Sequence, residues 1–371
     1  MPFHTIKHIL KALLQGTMLV IIAGSPTLAQ QNTGAKVDRI INKAMTDESI
    51  PGVAVAVIQN GKVLYQKTYG VRSVDNKVPT DANSVFSIGS VSKAFTAIGL
   101  MELVQQGKIS MDAPIKTYMK TLPAAWQDIT IRQFMTHTSG VPELKGEKDD
   151  DSFDKTVQKA GKLPMSFQPG KRQQYNNFNF AIMGKLIEII SGMDYLGYMQ
   201  KNVFGPASMT TTGVKPATND VTTGHMPGKN GLKAITTHFD AGDYGVPSGG
   251  LQTSLADFIQ LTQALYKNTL ISKATTQTMW TPYSGRLTNT PGWHSRMAGS
   301  TLVIHKGGGG TGIGSVCDFK IVPSQNIYII MMFNKARNKI SPDDVNDDIL
   351  KQCFNIPKGA KGDNAGEGNE K

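Results

Sequence analysis

The stretch Gly52–Val71, GVAVAVIQNGKVLYQKTYGV, carries two apolar runs on either side of Asn60-Gly61. Asn-Gly supplies two residues that tolerate positive φ, so the pair predicts a two-residue turn and an antiparallel hairpin. Upstream, VDRIINKAM (Val37–Met45) places apolar residues at helical spacing. Far downstream, Ser300–His305, Gly314–Val322 and Asn326–Asn334 read as strands, the last two joined by Pro323-Ser324-Gln325, and a helix follows around Val345–Cys353. The order helix, hairpin, intervening block, three strands, helix predicts one antiparallel sheet built from both ends of the chain. The class is α+β: a sheet flanked by N- and C-terminal helices, with a helical subdomain inserted over about residues 112–241.

The intervening block has little strand pattern. Ser90–Gln106 reads as a helix with Phe95, Ile98, Met101 and Leu103 on an apolar face, closed by Gly107. Phe180–Gly192 and Leu251–Tyr266 read as further helices, the second opened by a capping-box-like Ser254-Leu-Ala-Asp257. Lys145–Lys155, KGEKDDDSFDK, reads as a charged loop, and the tail 358–371 as disordered, because it holds no apolar residue beyond alanine. The expected organisation is therefore a signal segment over 1–29, one domain over 37–357 and a tail; no internal repeat is present.

The chain has 371 residues, 39% of them hydrophobic, which suffices for a large core. Its formal charge is +11, to which Lys7 and Lys11 of the N-terminal segment contribute two. No run of five Lys or Arg occurs, which argues against nucleic acid as a partner and suits a basic surface facing an anionic envelope. Lys7 and Lys11, the apolar TMLVIIAG (Thr17–Gly24) and the small residues Thr27 and Ala29 read as a secretory signal cleaved after Ala29. The apolar run is short for a bilayer span, and no cysteine follows it to carry a lipid. The expectation is an exported protein, periplasmic or secreted, with no stable membrane anchor. Cys317 and Cys353, the two cysteines, read as buried thiols or as one optional bridge.

Three short motifs carry chemistry. Ser90-Val-Ser-Lys93, in SIGSVSKAF (Ser87–Phe95), puts a hydroxyl and an amine on one face of a helix start, where the dipole favours a developing oxyanion. A serine needs such a base to become a nucleophile. The pattern is not selective by itself, since Ser152-Phe-Asp-Lys155 repeats it in the charged loop. Tyr175-Asn-Asn177 presents a phenol that can shuttle protons and an amide that can hold a substrate; Tyr266-Lys-Asn268 repeats it at a helix end where Tyr266 is expected to pack. His305-Lys306-Gly307-Gly308 ends a strand and enters a glycine run along which another backbone could lie, or is a turn with a surface histidine.

Together and in this order, the three motifs resemble those of the serine beta-lactamase and penicillin-binding superfamily, S-x-x-K, a second polar motif and K-T-G. The resemblance is closest to the class C beta-lactamase-like branch, with its D-alanyl-D-alanine carboxypeptidases, D-aminopeptidases and carboxylesterases. It extends to Ile50–Val71, Ile129–Pro142 and Ser248–Phe258, and covers roughly Val37–Phe354. It implies that Ser90 is acylated, that Lys93 is its base partner, that Tyr175 relays protons and that Asn177 holds substrate. It also implies that His305 stands near the tyrosine where many relatives have lysine, that Gly307 and Gly308 line the substrate, and that the N–H groups of Ser90 and Gly308 form the oxyanion hole. Departures are Lys306 for the usual threonine, Asn176 for serine or alanine, and GPASM (Gly205–Met209) for Pro-Leu-Gly-Met.

The implied function is an exported serine hydrolase acting through an acyl-enzyme, a D-Ala-D-Ala-type carboxypeptidase or related peptidase or esterase. A beta-lactamase, or a penicillin-binding or ligand-sensing protein without turnover, remains open. The substrate would be a small molecule or peptide, cell-wall peptide included, and no cofactor is implied. His225, His238 and His294 show no metal spacing, so no metal site is expected. His137 is expected to fix a loop by hydrogen bonding, and Trp126, Trp280 and Trp293 to lie in the core or the cleft wall, with Trp293-His294 able to border the groove.

Overall fold

A computed structural model of the chain describes residues 28–144, 152–214, 218, 220–235, 245–283 and 289–359. Apart from two residues each, the expected signal segment and the tail lie outside these, as do His238 and residues 145–151 of the charged loop. The first half comprises α1 (Leu28–Glu48), β1 (Gly52–Gln59), β2 (Lys62–Gly70), β3 (Val85–Ser87), α2 (Ser92–Gln105), α3 (Ile131–Met135), α4 (Phe153–Ala160), α5 (Asn177–Ser191) and α6 (Tyr195–Met199). There follow β4 (Gly224–Gly228), β5 (Gly231–Ile235), β6 (Gln252–Ser254), α7 (Leu255–Tyr266), α8 (Lys273–Trp280), β7 (Asn289–Thr290), β8 (Trp293–Ala298), β9 (Thr301–Gly310), β10 (Ser315–Val322), β11 (Ile327–Phe333) and α9 (Pro342–Phe354).

The hairpin forms where expected. Asn60 and Gly61 take φ of 50° and 71°, and a side chain on Gly61 would collide with the ring of Tyr266. Tyr266 therefore packs on the turn. The main sheet has the order β2-β1-β11-β10-β9-β8-β7, and its neighbours pair antiparallel. Strands from the two halves of the chain thus meet inside the sheet, with β1 zipped to β11 from Val53↔Phe333 to Gln59↔Ile327.

Both faces of this sheet are covered, which is why β1 reads as a continuous apolar run. Val53, Val55 and Val57 point to one face with Ile329 and Met331, against Val37 and Ile41 of α1 and Val345 and Ile349 of α9. Ala54, Ala56 and Ile58 point to the other with Phe319, Ile330 and Met332, against α2, α5 and α7. The alternation along each strand decides which face a residue serves. Cys317 belongs to the second core and Cys353 packs against the first, so the sheet separates them and both are free thiols.

Several expectations change. α2 does not carry a single apolar face: every residue from Ser92 to Met101 is buried, as is Leu103, so it is the central helix of the domain. Helix α7 begins only at Leu255, because Gln252–Ser254 pair with β3; Ser254 caps it, while the Asp257 carboxylate turns to Thr210, Thr211 and Thr212. The inserted block contains the hairpin β4–β5. Ser152 opens helix α4 as its N-cap, accepting from the Lys155 N–H, so the second Ser-x-x-Lys is a capping device. Trp126, Trp280 and Trp293 are all core residues. Among the described residues, no helix is long and apolar enough to cross a membrane.

Candidate active site

Strand β3 leads through Ile88 into a single tight turn, Gly89–Val91, before α2 begins. Ser90 sits in that turn. Gly89 has φ of 50°, and a Cβ there would stand 2.3 Å from the Gly309 nitrogen, so glycine lets the turn close onto β9. Ser92 fixes the turn from inside: its hydroxyl donates to the Gly89 carbonyl at 2.7 Å and accepts from the Leu251 N–H at 3.1 Å.

Lys93 is fully buried beneath Ser90. Its ammonium donates to the Ser248 carbonyl at 2.6 Å, to Asn177 Oδ1 at 2.8 Å and to Ser90 Oγ at 3.2 Å. Three acceptors match the three N–H bonds of an ammonium, which is how a buried cation is tolerated. The Tyr175 hydroxyl lies 2.5 Å from Ser90 Oγ and donates to Asn177 Oδ1 at 3.2 Å. Asn177 therefore holds both Lys93 and Tyr175.

The loop carrying Tyr175 is anchored from below. His137 Nδ1 accepts from the Asn176 N–H at 3.2 Å, and its ring packs at a tilt against Tyr175 with centroids 4.7 Å apart. That is the loop-fixing role expected for it. Asn176 caps α5 by accepting from the Phe178 N–H and donates to the Val141 carbonyl at 2.8 Å. Two contributors were not singled out in the sequence: the Ser248 carbonyl, and Glu143, which accepts from the Asn177 N–H at 2.8 Å. Ser248 lies in text that already resembled the family; Glu143 carries no such signal.

The third motif needs a correction. His305 does not face Tyr175. Strand β9 stays extended through the glycines to Gly310, so successive side chains leave opposite faces. His305 shares its face with Val303 and lies 3.8 Å from both Asp318 and Asp343. Lys306 shares its face with Ile304 and places Nζ 5.2 Å from the Tyr175 ring centroid, with Lys93 Nζ at 4.6 Å. Lys306 thus takes the lysine position of K-T-G, and Gly307 takes that of the hydroxyl.

Gly308 presses against the nucleophile turn: a Cβ there would stand 2.6 Å from Ser90 N and 2.3 Å from the Ile88 carbonyl oxygen. A Cβ on Gly307 would meet nothing closer than 4.0 Å. Pairing of β8 with β9 ends at His294↔His305, whereas β10 pairs on to Gly310. Among the described residues, the Lys306–Gly310 edge is therefore open beside Ser90.

His305 belongs to a buried charge cluster with Arg296, Asp318, Lys320, Asp343 and Asp347 beneath α9. Burial raises the Asp343 carboxyl, but Lys320, His305 and Arg296 outweigh it and hold the group well below the usual carboxylate range. One nitrogen of His305 and one oxygen each of Asp318 and Asp343 lie within 4.8 Å of one another, a grouping that could hold a metal ion. Its positive charge here comes from Lys320, 2.7 Å from Asp343, and from Arg296. Elsewhere, burial pushes the Cys317 thiol well up, which leaves it inert.

A serine held between a lysine and a tyrosine at a helix start, beside an open glycine strand, defines a serine hydrolase or acyltransferase of the penicillin-binding type. The chain belongs to the beta-lactamase family, whose family model matches residues 37–352. Among curated proteins it is similar to Protein flp of Staphylococcus aureus strain N315, 27% identical over 198 residues; the match covers 50% of this chain and 39% of that protein. It is similar in fold to the D-alanine carboxypeptidase AmpC of Burkholderia cenocepacia, with a TM-score of 0.72 at 24% identity over 85% of this chain and 97% of that one. The class C beta-lactamase of Rhodobacter sphaeroides gives 0.75 at 18% identity, over 86% of this chain and 99% of that one.

Proposed function

We propose that the protein is an exported serine hydrolase, periplasmic or secreted, that forms an acyl-enzyme on Ser90 and acts as a D-Ala-D-Ala-type carboxypeptidase or a related peptidase or esterase. The observation that carries this reading is the placement of Ser90 Oγ 2.5 Å from the Tyr175 hydroxyl and 3.2 Å from Lys93 Nζ. With Tyr175 entering the reaction as its phenolate, its own proton already lost to solvent, the Ser90 proton passes to that oxygen as Oγ attacks the substrate carbonyl carbon. Lys93 and Lys306, both facing the Tyr175 ring, stabilise negative charge on that oxygen. The carbonyl oxygen becomes an oxyanion facing the Ser90 N–H and the glycine edge of β9. Tyr175 then returns the proton to the departing amine or alkoxide, and water repeats the sequence to release the acid.

Two features support a substrate ending in a carboxylate. Lys306 sets a buried cation beside Tyr175 at the foot of the glycine edge, and the structurally similar carboxypeptidase is named for D-alanine. Gly307 supplies no hydroxyl where K-T-G has threonine, so cation rather than hydroxyl meets that carboxylate. Export rests on Lys7, Lys11, the apolar Thr17–Gly24 stretch and the small residues at 27 and 29.

The test is a panel offered to the wild type and to Ser90→Ala: a fluorescent penicillin, a chromogenic cephalosporin, a short-chain nitrophenyl ester and a peptide ending in D-Ala-D-Ala. Stable penicillin labelling with D-alanine release supports the carboxypeptidase, and ester turnover alone the esterase. Rapid cephalosporin turnover would replace both with a beta-lactamase. Full activity of Ser90→Ala would overturn the site.

A further inference from the structure

We infer that His294 is a positioning residue for the catalytic centre, acting through Lys306 as an acceptor that works only while its imidazole is neutral. The inference rests on the proposed role of Ser90, Tyr175 and Lys306.

The protonation pattern follows from a chain of hydrogen bonds. Asn289 Nδ2 donates to the Thr136 carbonyl at 3.1 Å, which fixes the orientation of that amide. Its Oδ1 then faces His294 Nδ1, which must carry the N–H and donate to it. A neutral imidazole with its proton on Nδ1 presents a lone pair at Nε2. That nitrogen stands 3.2 Å from Lys306 Nζ, so the lysine donates to it. Lys306 in turn lies over the Tyr175 ring, whose hydroxyl meets Ser90. A continuous path, Asn289 to His294 to Lys306 to Tyr175 to Ser90, therefore runs from the edge strands β7 and β8 to the nucleophile.

The path has a defined sensitivity. His294 is 3% exposed and has no room to swing away. Protonated, it would carry an N–H and a positive charge toward an ammonium, replacing attraction by repulsion and driving Lys306 from the tyrosine. Other groups facing His294 are His305, whose ring centroid is 5.4 Å away, and, beyond it, Asp318 and Asp343. His294 pairs across the ladder with His305, so these carboxylates lie on its own side of the sheet, where His305, Lys320 and Arg296 pair with them; at His294 Nε2 the charge met is the Lys306 ammonium.

The experiment measures the rate of acylation by fluorescent penicillin or nitrophenyl ester from pH 5 to pH 9. Variants are His294→Gln, His294→Ala, His305→Gln and Ser90→Ala, each checked for folding by thermal melting. Wild type should show an acid limb displaced below the ordinary histidine range, because burial and the neighbouring ammonium both disfavour the imidazolium. His294→Gln keeps an acceptor that does not titrate, so the limb should vanish while the neutral-pH rate stays within about threefold. His294→Ala should acylate about tenfold more slowly across the range, and His305→Gln should keep the limb. An unchanged limb in His294→Gln overturns the proposal while leaving Ser90 in place, whereas persistent acylation by Ser90→Ala overturns the site itself. Should the His294 variants not fold, nitrogen NMR of the wild-type histidines decides: a His294 protonated on Nε2 at pH 8 overturns the proposal, and the Nδ1–H tautomer supports it.

Discussion

Lys306 Nζ stands 5.2 Å from the centre of the Tyr175 ring, and His305, one residue earlier, is turned to the opposite face of the same strand. Adjacent residues of β9 therefore serve two unrelated purposes, one in the site and one beneath α9. Lys306→Met should lower the acylation rate by about tenfold or more, with the thermal midpoint nearly unchanged. His305→Asn should show the reverse: a lower thermal midpoint and an acylation rate within about threefold of wild type. Paired melting and acylation measurements check this, and a His305→Asn enzyme that is stable but inactive would return the catalytic role to the histidine.

Lys93 is the centre of the site's hydrogen bonding, holding Ser248, Asn177 and Ser90 at once. Lys93→Met keeps most of the buried volume but leaves the Ser248 carbonyl and Asn177 Oδ1 without that donor. Acylation should fall by about a hundredfold or more, the usual weight of a charge-stabilising group at the reacting centre. Lys93→Arg should not restore it, because a planar guanidinium cannot reproduce the three converging N–H bonds of an ammonium. Intact-mass analysis after exposure to penicillin measures the acylated fraction directly; rapid, complete labelling of Lys93→Met would remove the lysine from the chemistry.

What the sequence disclosed, and what it hid, divides along physical lines. The hairpin, an antiparallel sheet built from both chain ends and the flanking helices were legible because Asn60-Gly61 and the apolar strands encode local geometry, whereas strands β7 and β8 and the strand order were not. Ser90, Lys93, Tyr175 and Asn177 were legible as motifs, and they do converge. The facing of His305 and Lys306 was not legible, because register along a glycine run is set by pairing with β10 and not by side-chain pattern. The Ser248 carbonyl was hidden for another reason: every residue has a carbonyl, and only tertiary placement selects one. Hairpin β4–β5 escaped because its strands, GHMPG and GLKAI, are half exposed and rich in glycine and proline.

Asp343 and Asp347 tie α9 to the sheet through Lys320 and Arg296. Asp347→Ala would leave Arg296 and Lys320 short of a partner in a buried setting and should cost about 3–5 kcal/mol of stability. For Asp343 the folded-state carboxyl lies below its unfolded value, so its contribution is present above about pH 4 and is lost as pH falls toward the folded value. Asp343→Asn should therefore melt below wild type at pH 7, and the gap should shrink on acidification below about pH 4. Melting curves across that range check the sign; a gap that widened in acid would contradict the ion-pair account.

Gly308 and Gly307 are neighbours on β9 with opposite tolerance for a side chain. At Gly308 a methyl group would meet backbone alone, the Ile88 oxygen at 2.3 Å, Val91 N at 2.5 Å and Ser90 N at 2.6 Å, and backbone cannot swing aside. Gly308→Ala should force β9 away from the nucleophile turn, at a cost of about 1–3 kcal/mol in stability. By spoiling the approach of the oxyanion to the Ser90 N–H, it should also cut kcat about a hundredfold. At Gly307 the nearest atoms are 4.0 Å away, so Gly307→Ala should melt like wild type. Because this position stands for the threonine of K-T-G, Gly307→Thr restores a hydroxyl at the open edge, and its effect should fall on KM for carboxylate-bearing substrates more than on kcat. Steady-state kinetics with a D-Ala-D-Ala peptide and a neutral nitrophenyl ester separate the two, and an equal change on both substrates would show that the hydroxyl does not meet the carboxylate.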